Sequence, residues 1–382
     1  MERIEPFPLI ELSGAPRSRG LQYGTQARDR IRRSVALYAG GATQESSPEQ
    51  VRRLATSFLP QIEAFDPLYL EEMRGMAEGA GVELADIALV NARTEILRLT
   101  QPPPKITVPD KEPDGCTGAV LLPQVTASGR LLHGQNWDWR KECADTGVVL
   151  RIRRDDGPDI LTFTEAGGLA RSGMNAAGIA VTANYLSSDR DYTQKGVPLA
   201  LIRRKLLETE HVAIAMRTVY CTPKSTSNNL MISHAGGFAL NFECAPDETF
   251  LVHPQDGMLV HANHFQSAVA LGKLKDMGIQ TTPDSLYRDV RVRELLNKDL
   301  GHLTLDHLRQ AFFDDFATPW SVCRPPRLTL ESNLSATVAM LLMDPARGHL
   351  EIAPLPAINR QFTRYTLDMQ ASVLQYAHER QS

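Results

Sequence analysis

The sequence from residue 102 to residue 122 decides the reading. Pro102-Pro103-Pro104 leads through Pro109-Asp110-Lys111-Glu112-Pro113-Asp114 to Gly115-Cys116, and Thr117-Gly118-Ala119-Val120-Leu121-Leu122 follows. Prolines lack a backbone donor and push the preceding residue out of the helical region, so the charged tract is expected to be an exposed, helix-averse tether. The apolar run after it reads as a buried strand. Cys116 stands where the two meet. A chain severed between Gly115 and Cys116 would carry a thiol and a free α-amine on one residue. That amine, with a reference pKa of about 7.7 to 8.0, can take the proton from its own thiol near neutral pH. Gly115 suits such a junction, because without a side chain it leaves the thiol a path to the scissile carbonyl. On its own, a Gly-Cys pair is equally the mark of a buried structural cysteine.

On the N-terminal side of this junction the texture is helical. Tyr23, Ala27, Ile31 and Val35 fall on one stripe within residues 13–40. Helical spacing recurs over Pro48–Gly81 and again over Leu84–Leu99, with a break at Gly79-Ala80-Gly81-Val82. After residue 116 short apolar runs alternate with glycine or charged turns: 117–122, 131–137, 147–154, 160–164 and 178–183. Asp155-Asp156-Gly157 is a turn between two of them. A helix is expected to start at Pro198 and another over 209–217, followed by strands near 228–233, 238–243 and 258–262. Helix returns over 284–316, and 336–343 with 348–353 read as a closing hairpin around Asp344-Pro345. This order argues an α+β fold with a mainly antiparallel sheet. With no second tether of the 102–114 kind, residues 1–382 are expected to form a single domain.

The chain has 382 residues, of which 42% are hydrophobic and 23% charged, and its formal net charge is −4. That apolar content supports a large core. Basic residues are scattered and balanced by acids, which excludes an electrostatic nucleic-acid surface. No apolar run approaches the roughly 18 residues a membrane span needs, and Met1-Glu2-Arg3-Ile4-Glu5-Pro6 lacks a secretory layout, so the cytoplasm is the expected location. The five cysteines (116, 143, 221, 244 and 323) are odd in number and contain no CxxC, arguing against a disulfide scaffold or a structural zinc.

Three further segments offer chemistry. In Gln135-Asn136-Trp137-Asp138-Trp139, strand alternation puts Asn136 and Asp138 on one face and Gln135, Trp137 and Trp139 on the other. His261-Ala262-Asn263-His264 ends an apolar strand, and the amide of Asn263 is a suitable donor to a developing oxyanion. Its two histidines have no acidic or cysteine partner at a ligand spacing, so no metal is expected. In Ser321-Val322-Cys323-Arg324-Pro325, Arg324 can hold Asp138 by a bidentate pair. Trp137, Trp139, Asn184 and Phe265 are candidates for substrate-pocket walls, with ordinary core packing as the plain alternative.

Together these segments resemble the isopenicillin N acyltransferase (acyl-coenzyme A:6-aminopenicillanate acyltransferase) family of N-terminal nucleophile hydrolases. The likeness runs in order from Arg19-Gly20 and Gly24 through Gly79-Ala80-Gly81, Asn91-Ala92-Arg93-Thr94-Glu95 and Asp114-Gly115-Cys116-Thr117. It continues with Gly134-Gln135-Asn136-Trp137-Asp138, Thr164-Glu165-Ala166-Gly167, Gly173–Gly178 and Gly196-Val197-Pro198, and ends with His261–His264 and Ser321–Arg324. The resemblance implies a four-layer αββα sandwich, made as a precursor that cuts itself into segments 1–115 and 116–382, which stay associated. It implies Cys116 as nucleophile, Asp138 and Arg324 as essential partners, and Asn263 in the oxyanion hole. It further implies small-molecule amides as substrates, with passage of the acyl group through an acyl-cysteine to water or an amine. No cofactor is expected. The penicillin-forming member has an asparagine where this chain has Thr182, although Asn184 keeps another nearby. No GxxxxGK loop or basic cluster supports coenzyme A binding, which favours an amide hydrolase over a dedicated acyl-CoA:6-aminopenicillanate acyltransferase. The competing expectations are a papain-like peptidase pairing Cys116 with His133, His234, His261 or His264, and a non-catalytic scaffold that retains the site.

Overall fold

The computed structural model describes residues 4–42, 46–100, 115–326, 335–371 and 373–374; the tract 102–114 lies outside them. The first part consists of β1 (Leu9–Leu12), α1 (Pro16–Gln26), α2 (Arg28–Ala42), α3 (Pro48–Thr56), α4 (Leu59–Phe65), α5 (Pro67–Ala80), α6 (Leu84–Asn91) and α7 (Arg93–Leu99). After the junction come β2 (Gly115–Leu121), β3 (Leu132–Trp139), β4 (Gly147–Ile152), β5 (Ile160–Glu165), β6 (Ser172–Asn175), β7 (Ile179–Tyr185), α8 (Leu199–Leu207) and α9 (Val212–Cys221). The remainder is β8 (Asn228–His234), β9 (Phe238–Cys244), β10 (Thr249–Val252), β11 (Met258–His261), α10 (Ala268–Leu271), α11 (Ser285–Asn297), α12 (Leu305–Phe312), β12 (Ala336–Asp344), β13 (His349–Pro354) and β14 (Thr363–Thr366).

Helix boundaries follow local chemistry. Ser47 and Asp66 accept backbone N–H groups ahead of Pro48 and Pro67, and Gly81, at φ 64°, closes α5 in the left-handed region. The strands build two sheets, ordered β1-β4-β5-β6-β7-β8-β9-β10 and β11-β2-β3-β12-β13-β14. All pairings between these strands are antiparallel except β1 with β4. Helices α1 and α8 lie on the outer face of the first sheet, α11 and α12 on that of the second, and β2 and β3 pack across on β7. This is the four-layer αββα sandwich that the resemblance implied. The expected hairpin appears as β12–β13. Five short elements were not anticipated: β1, only four residues long and paired with a strand far along the chain, the strands β6 and β10, the one-turn helix α10, and the short edge strand β14.

Alternation along β2 divides its side chains cleanly. Ala119 and Leu121 pack outward on Val292, Leu296, Leu308 and Phe312 of α11 and α12, whereas Val120 packs inward on Met231 and Ala239 of the other sheet. The largest apolar core draws residues from both sides of the junction, Tyr23, Ile31, Met73 and Ile87 together with Phe163, Val181 and Phe242. No helix among the described residues is long and apolar enough to cross a membrane.

Helices α1 and α5 cross in backbone contact at Gly20, Gly24, Gly75 and Gly79. A Cβ on Gly75 would lie 2.1 Å from the Arg17 carbonyl oxygen, and one on Gly20 would lie 1.9 Å from that of Glu72. Because neither helix can yield without breaking its own ladder, Gly75→Ala is expected to cost about 3 kcal/mol or more in urea unfolding. Gly40→Ala at an exposed position of α2, where a Cβ meets nothing within 4 Å, should instead gain roughly 0.5–1 kcal/mol from helix propensity.

Candidate active site

The site grows from the pairing of β2 with β3, whose register sets Gly115 opposite Asp138, Cys116 opposite Trp137 and Thr117 opposite Asn136. Directly opposed residues of an antiparallel pair share a face. Gly115, Thr117, Asn136 and Asp138 therefore look toward α11 and α12, while Cys116, Gln135 and Trp137 look into the space between the sheets. The alternation read from the sequence is present. Asn136 donates to the carbonyls of Phe312 and Val322 on the outer side, and Gln135 meets Ser172, Ala183 and Asn184 on the inner side.

On the outer face Asp138 and Arg324 meet over Gly115. Arg324 Nε lies 3.3 Å from Asp138 Oδ2, one contact rather than the expected bidentate fork. The rest of the guanidinium goes elsewhere: Nη2 pairs with Asp284 and Nη1 donates to Ser335 Oγ at 2.7 Å. Thr337 Oγ1 donates to Asp138 Oδ1 at 2.6 Å. Burial raises the Asp138 carboxyl above its usual range, opposed by Arg324 and Arg288. A Cβ on Gly115 would sit 2.9 Å from Asp138 Oδ2 and 3.1 Å from Arg324 Cζ. The pair therefore presses directly on the backbone at the junction.

Asn263 reaches Cys116 from the turn after β11. Its Oδ1 accepts the Cys116 backbone N–H at 2.8 Å and Arg288 Nη2 at 2.8 Å, while its Nδ2 donates to the Tyr185 carbonyl at 2.9 Å. The amide thus meets Cys116 carbonyl-first, in contrast to the expected donor geometry, although an NH2 group keeps a second hydrogen. Arg288 was not singled out in the sequence, yet it binds the whole junction together. Besides Asn263, it donates from Nη1 to the Cys116 carbonyl (2.7 Å) and Thr117 Oγ1 (2.8 Å), and from Nε to Asp284 (2.8 Å). Arg171 was also missed; its Nη2 is 3.9 Å from Cys116 Sγ. Asp284 and Arg288 show the i, i+4 spacing of an ordinary exposed helical pair, so only tertiary burial reveals them.

The pocket candidates separate. Trp137 is buried beside Cys116, under Arg171 and against Phe163. Trp139 donates to Tyr38 and lies under Arg93. Asn184 ties Gln135 to the carbonyls of His261 and Ala262. Phe265 is ordinary core, clustered with Leu186, Phe250 and Leu274. A cavity of about 330 Å³ opens instead on the outer face, walled by Thr282, Pro283, Tyr287, Ala317 and Trp320, with Asp284 and Arg324 also lining it. The histidines of the papain-like expectation have other partners. His133 contacts Ser233 and Thr182, His234 contacts Ala177 and Gly236, His261 contacts Glu243, and His264 contacts Ser285. Burial brings His133 down to about 3, far too weak a base at neutral pH. No group of three or more His, Cys, Asp or Glu side chains able to hold a metal ion occurs among the described residues.

The family model described as acyl-coenzyme A:6-aminopenicillanic acid acyl-transferase matches residues 125–353, more than half of the chain. The chain belongs to this family. A relative within the acyltransferase family, the 40 kDa form of acyl-coenzyme A:6-aminopenicillanic-acid-acyltransferase of Emericella nidulans, is 27% identical over 324 residues, covering 82% of this chain and 84% of that protein. An uncharacterized protein of Archaeoglobus fulgidus is 25% identical over 189 residues, covering 45% of this chain and 32% of its own length. Among solved structures, a mutant of conjugated bile acid hydrolase from Clostridium perfringens overlays with a TM-score of 0.45 at 14% identity, covering 66% of this chain and 92% of that one. Penicillin V acylase from Agrobacterium tumefaciens gives 0.42 at 16%, covering 67% and 89%. Acyl transfer is the chemistry this membership supports.

Arg324→Met would leave the Asp138 carboxylate buried without its cation. A loss of about 3–5 kcal/mol in urea unfolding at pH 7.5 is expected, partly recovered by adding Asp138→Asn. In the single variant the folded carboxyl holds its proton above the unfolded value, so stability should fall as pH rises from 5 to 8.

Proposed function

We propose that the protein is a self-processing amidohydrolase that uses Cys116, freed as an N-terminal residue, to take the acyl group from small N-acyl compounds and pass it to water or an amine. The observation that carries this reading is the junction itself: one strand pairing places the Cys116 thiol, the Asp138–Arg324 pair and the Asn263 amide around a single peptide bond.

In the uncut chain the Cys116 thiol attacks the Gly115 carbonyl carbon. The C–S bond forms, the C–N bond breaks, and the proton lost from sulfur ends on the departing nitrogen. Water then hydrolyses the thioester, leaving a carboxylate on Gly115 and an α-amine on Cys116. Arg288 anchors the Cys116 carbonyl, so the cysteine stays in register while the preceding residue departs. In the processed molecule the same Asn263 Oδ1 accepts from the new amine and orients its lone pair toward the thiol. The amine takes the thiol proton, the sulfur attacks the substrate carbonyl, and the second Nδ2 hydrogen of Asn263 serves the developing oxyanion. The ammonium returns its proton to the leaving amine. Asp138 and Arg324 act as a fixed electrostatic frame at the vacated position of Gly115.

The 330 Å³ cavity adjoins that vacated position and is of a size for a small ligand. Its guanidinium is already committed to two carboxylates and its walls are mainly apolar, which suits an uncharged acyl group better than the polyphosphate of coenzyme A. Segments 1–115 and 116–382 are expected to remain associated, because the largest core joins them.

Intact-mass measurement of purified protein should show two fragments, the larger beginning at Cys116. Cys116→Ala should give one folded, uncut, inactive chain, and Gly115→Ala should slow cutting by crowding Asp138 and Arg324. An active chain with residues 115 and 116 still joined would overturn the reading. Incubation of processed enzyme with a slow N-acyl substrate should add the acyl mass to the Cys116 peptide alone.

A further inference from the structure

Cys116 lies fully inside the protein, where a thiol is a poor source of thiolate. Burial carries two other buried cysteines of this chain, Cys143 and Cys323, up to about 12. The amine alone is therefore a weak answer in a dry interior, and a compensating positive charge at the sulfur is required.

We propose that Arg171 is a further catalytic residue, whose guanidinium is the cation that holds the Cys116 sulfur as thiolate. It stands in the connection between β5 and β6, where its backbone N–H donates to the Phe163 carbonyl at 3.2 Å. Its Nη2 is 3.9 Å from Cys116 Sγ, and its Cζ lies 4.1 Å from the centroid of the Trp137 ring. Trp137 is the direct cross-strand neighbour of Cys116. The ring that supports the cation therefore shares the nucleophile's face, and the register that places one places the other. On the far side Arg171 Nη1 is 4.0 Å from Glu165 Oε2, whose carboxylate is held at 2.9 Å by Arg93. Arg171 is 4% exposed, and its Nε has no hydrogen-bond partner among the described residues. A stacked guanidinium compensates by cation–π attraction, which strengthens on desolvation. Burial pushes the Glu165 carboxyl up to about 7 against the pull of Arg171 and Arg203, so this single acid, fully ionised only above that pH, leaves net positive charge from the two guanidiniums to act on the sulfur.

This proposal rests on the reading of Cys116 as nucleophile. The division of labour is then explicit. The amine takes the thiol proton and becomes ammonium, the sulfur keeps the electron pair, and that pair forms the bond to carbonyl carbon as the C=O π electrons move to oxygen. Arg171 neither gains nor loses a proton; it lowers the energy of the anionic sulfur throughout.

The test is the pH profile of iodoacetamide alkylation at Cys116 in processed protein, read by peptide mass. Arg171→Gln should move the midpoint up by at least one pH unit, a tenfold loss of rate near pH 7, and lower kcat with little change in KM. Arg171→Lys, which keeps a charge but loses the stacked plane, should restore most of the shift. Glu165→Gln leaves Arg171 in place and removes the opposing anion, so it should move the midpoint down, giving a readout even if Arg171→Gln does not fold or process. Superimposable profiles for processed wild type and Arg171→Gln, or an unmoved midpoint in Glu165→Gln, would overturn the role of Arg171. Full turnover by enzyme completely alkylated at Cys116 would overturn the nucleophile itself, a separate result.

Discussion

The pairing register of β2 on β3 is the constraint on which the rest depends. Because side chains alternate with period two, a slip of β2 by one residue would send Cys116 outward to α11, onto the face that carries Asp138. In the observed register, two chemistries are kept apart on opposite faces of one strand. The thiol faces Trp137 and Arg171, and the backbone before it faces Asp138, Arg324 and Asp284. Asn263 and Arg288 tie the strand down at the boundary, so both polar atoms of the Cys116 peptide are held by side chains as well as by position.

Charge at the site is arranged as alternation. Asp138, Arg324, Asp284 and Arg288 form a buried chain of acid, base, acid and base, and Arg171, Glu165 and Arg93 form a second on the inner side. Isolated buried charges are costly, whereas in such chains each ion has an opposite neighbour and several hydrogen bonds. Both chains end at residue 115 or 116. The cost of assembling so many ionised groups in the interior is concentrated where reactivity is proposed, as expected for a site whose fields are fixed before substrate arrives.

Much of this was legible in the sequence. The helix-to-strand change at residue 116 and the face assignment of Gln135 to Trp139 follow from composition and strand alternation, and the grouping of Cys116, Asp138, Asn263 and Arg324 is what the family resemblance implied. Arg288 and Asp284 were hidden because an i, i+4 pair on a charged helix reads as solvated surface, and nothing local announces that α11 packs against β2. Arg171 lies in a short glycine-flanked turn with no periodicity at all. Strand β1 has only four residues and a distant parallel partner, so it leaves no local pattern to detect. Among the aromatics, composition could not separate Trp137, which touches the site, from Phe265, which fills core. That distinction is made by cross-strand register, a property of two segments at once.

Glu72 on α5 is held by Arg19 of α1 at 3.0 Å and by Arg204 of α8 at 3.1 Å, entirely out of solvent. The first two helices precede the junction and the third follows it. If the backbone is severed as proposed, this triad and the surrounding core become a subunit interface, and a unimolecular folding problem becomes a bimolecular one. Denaturation of the severed molecule then acquires a dependence on protein concentration that the continuous chain lacks, and recovery from it requires two partners to find each other. On that proposal, the favourable order of events is to fold first as one polymer and to become two only afterwards.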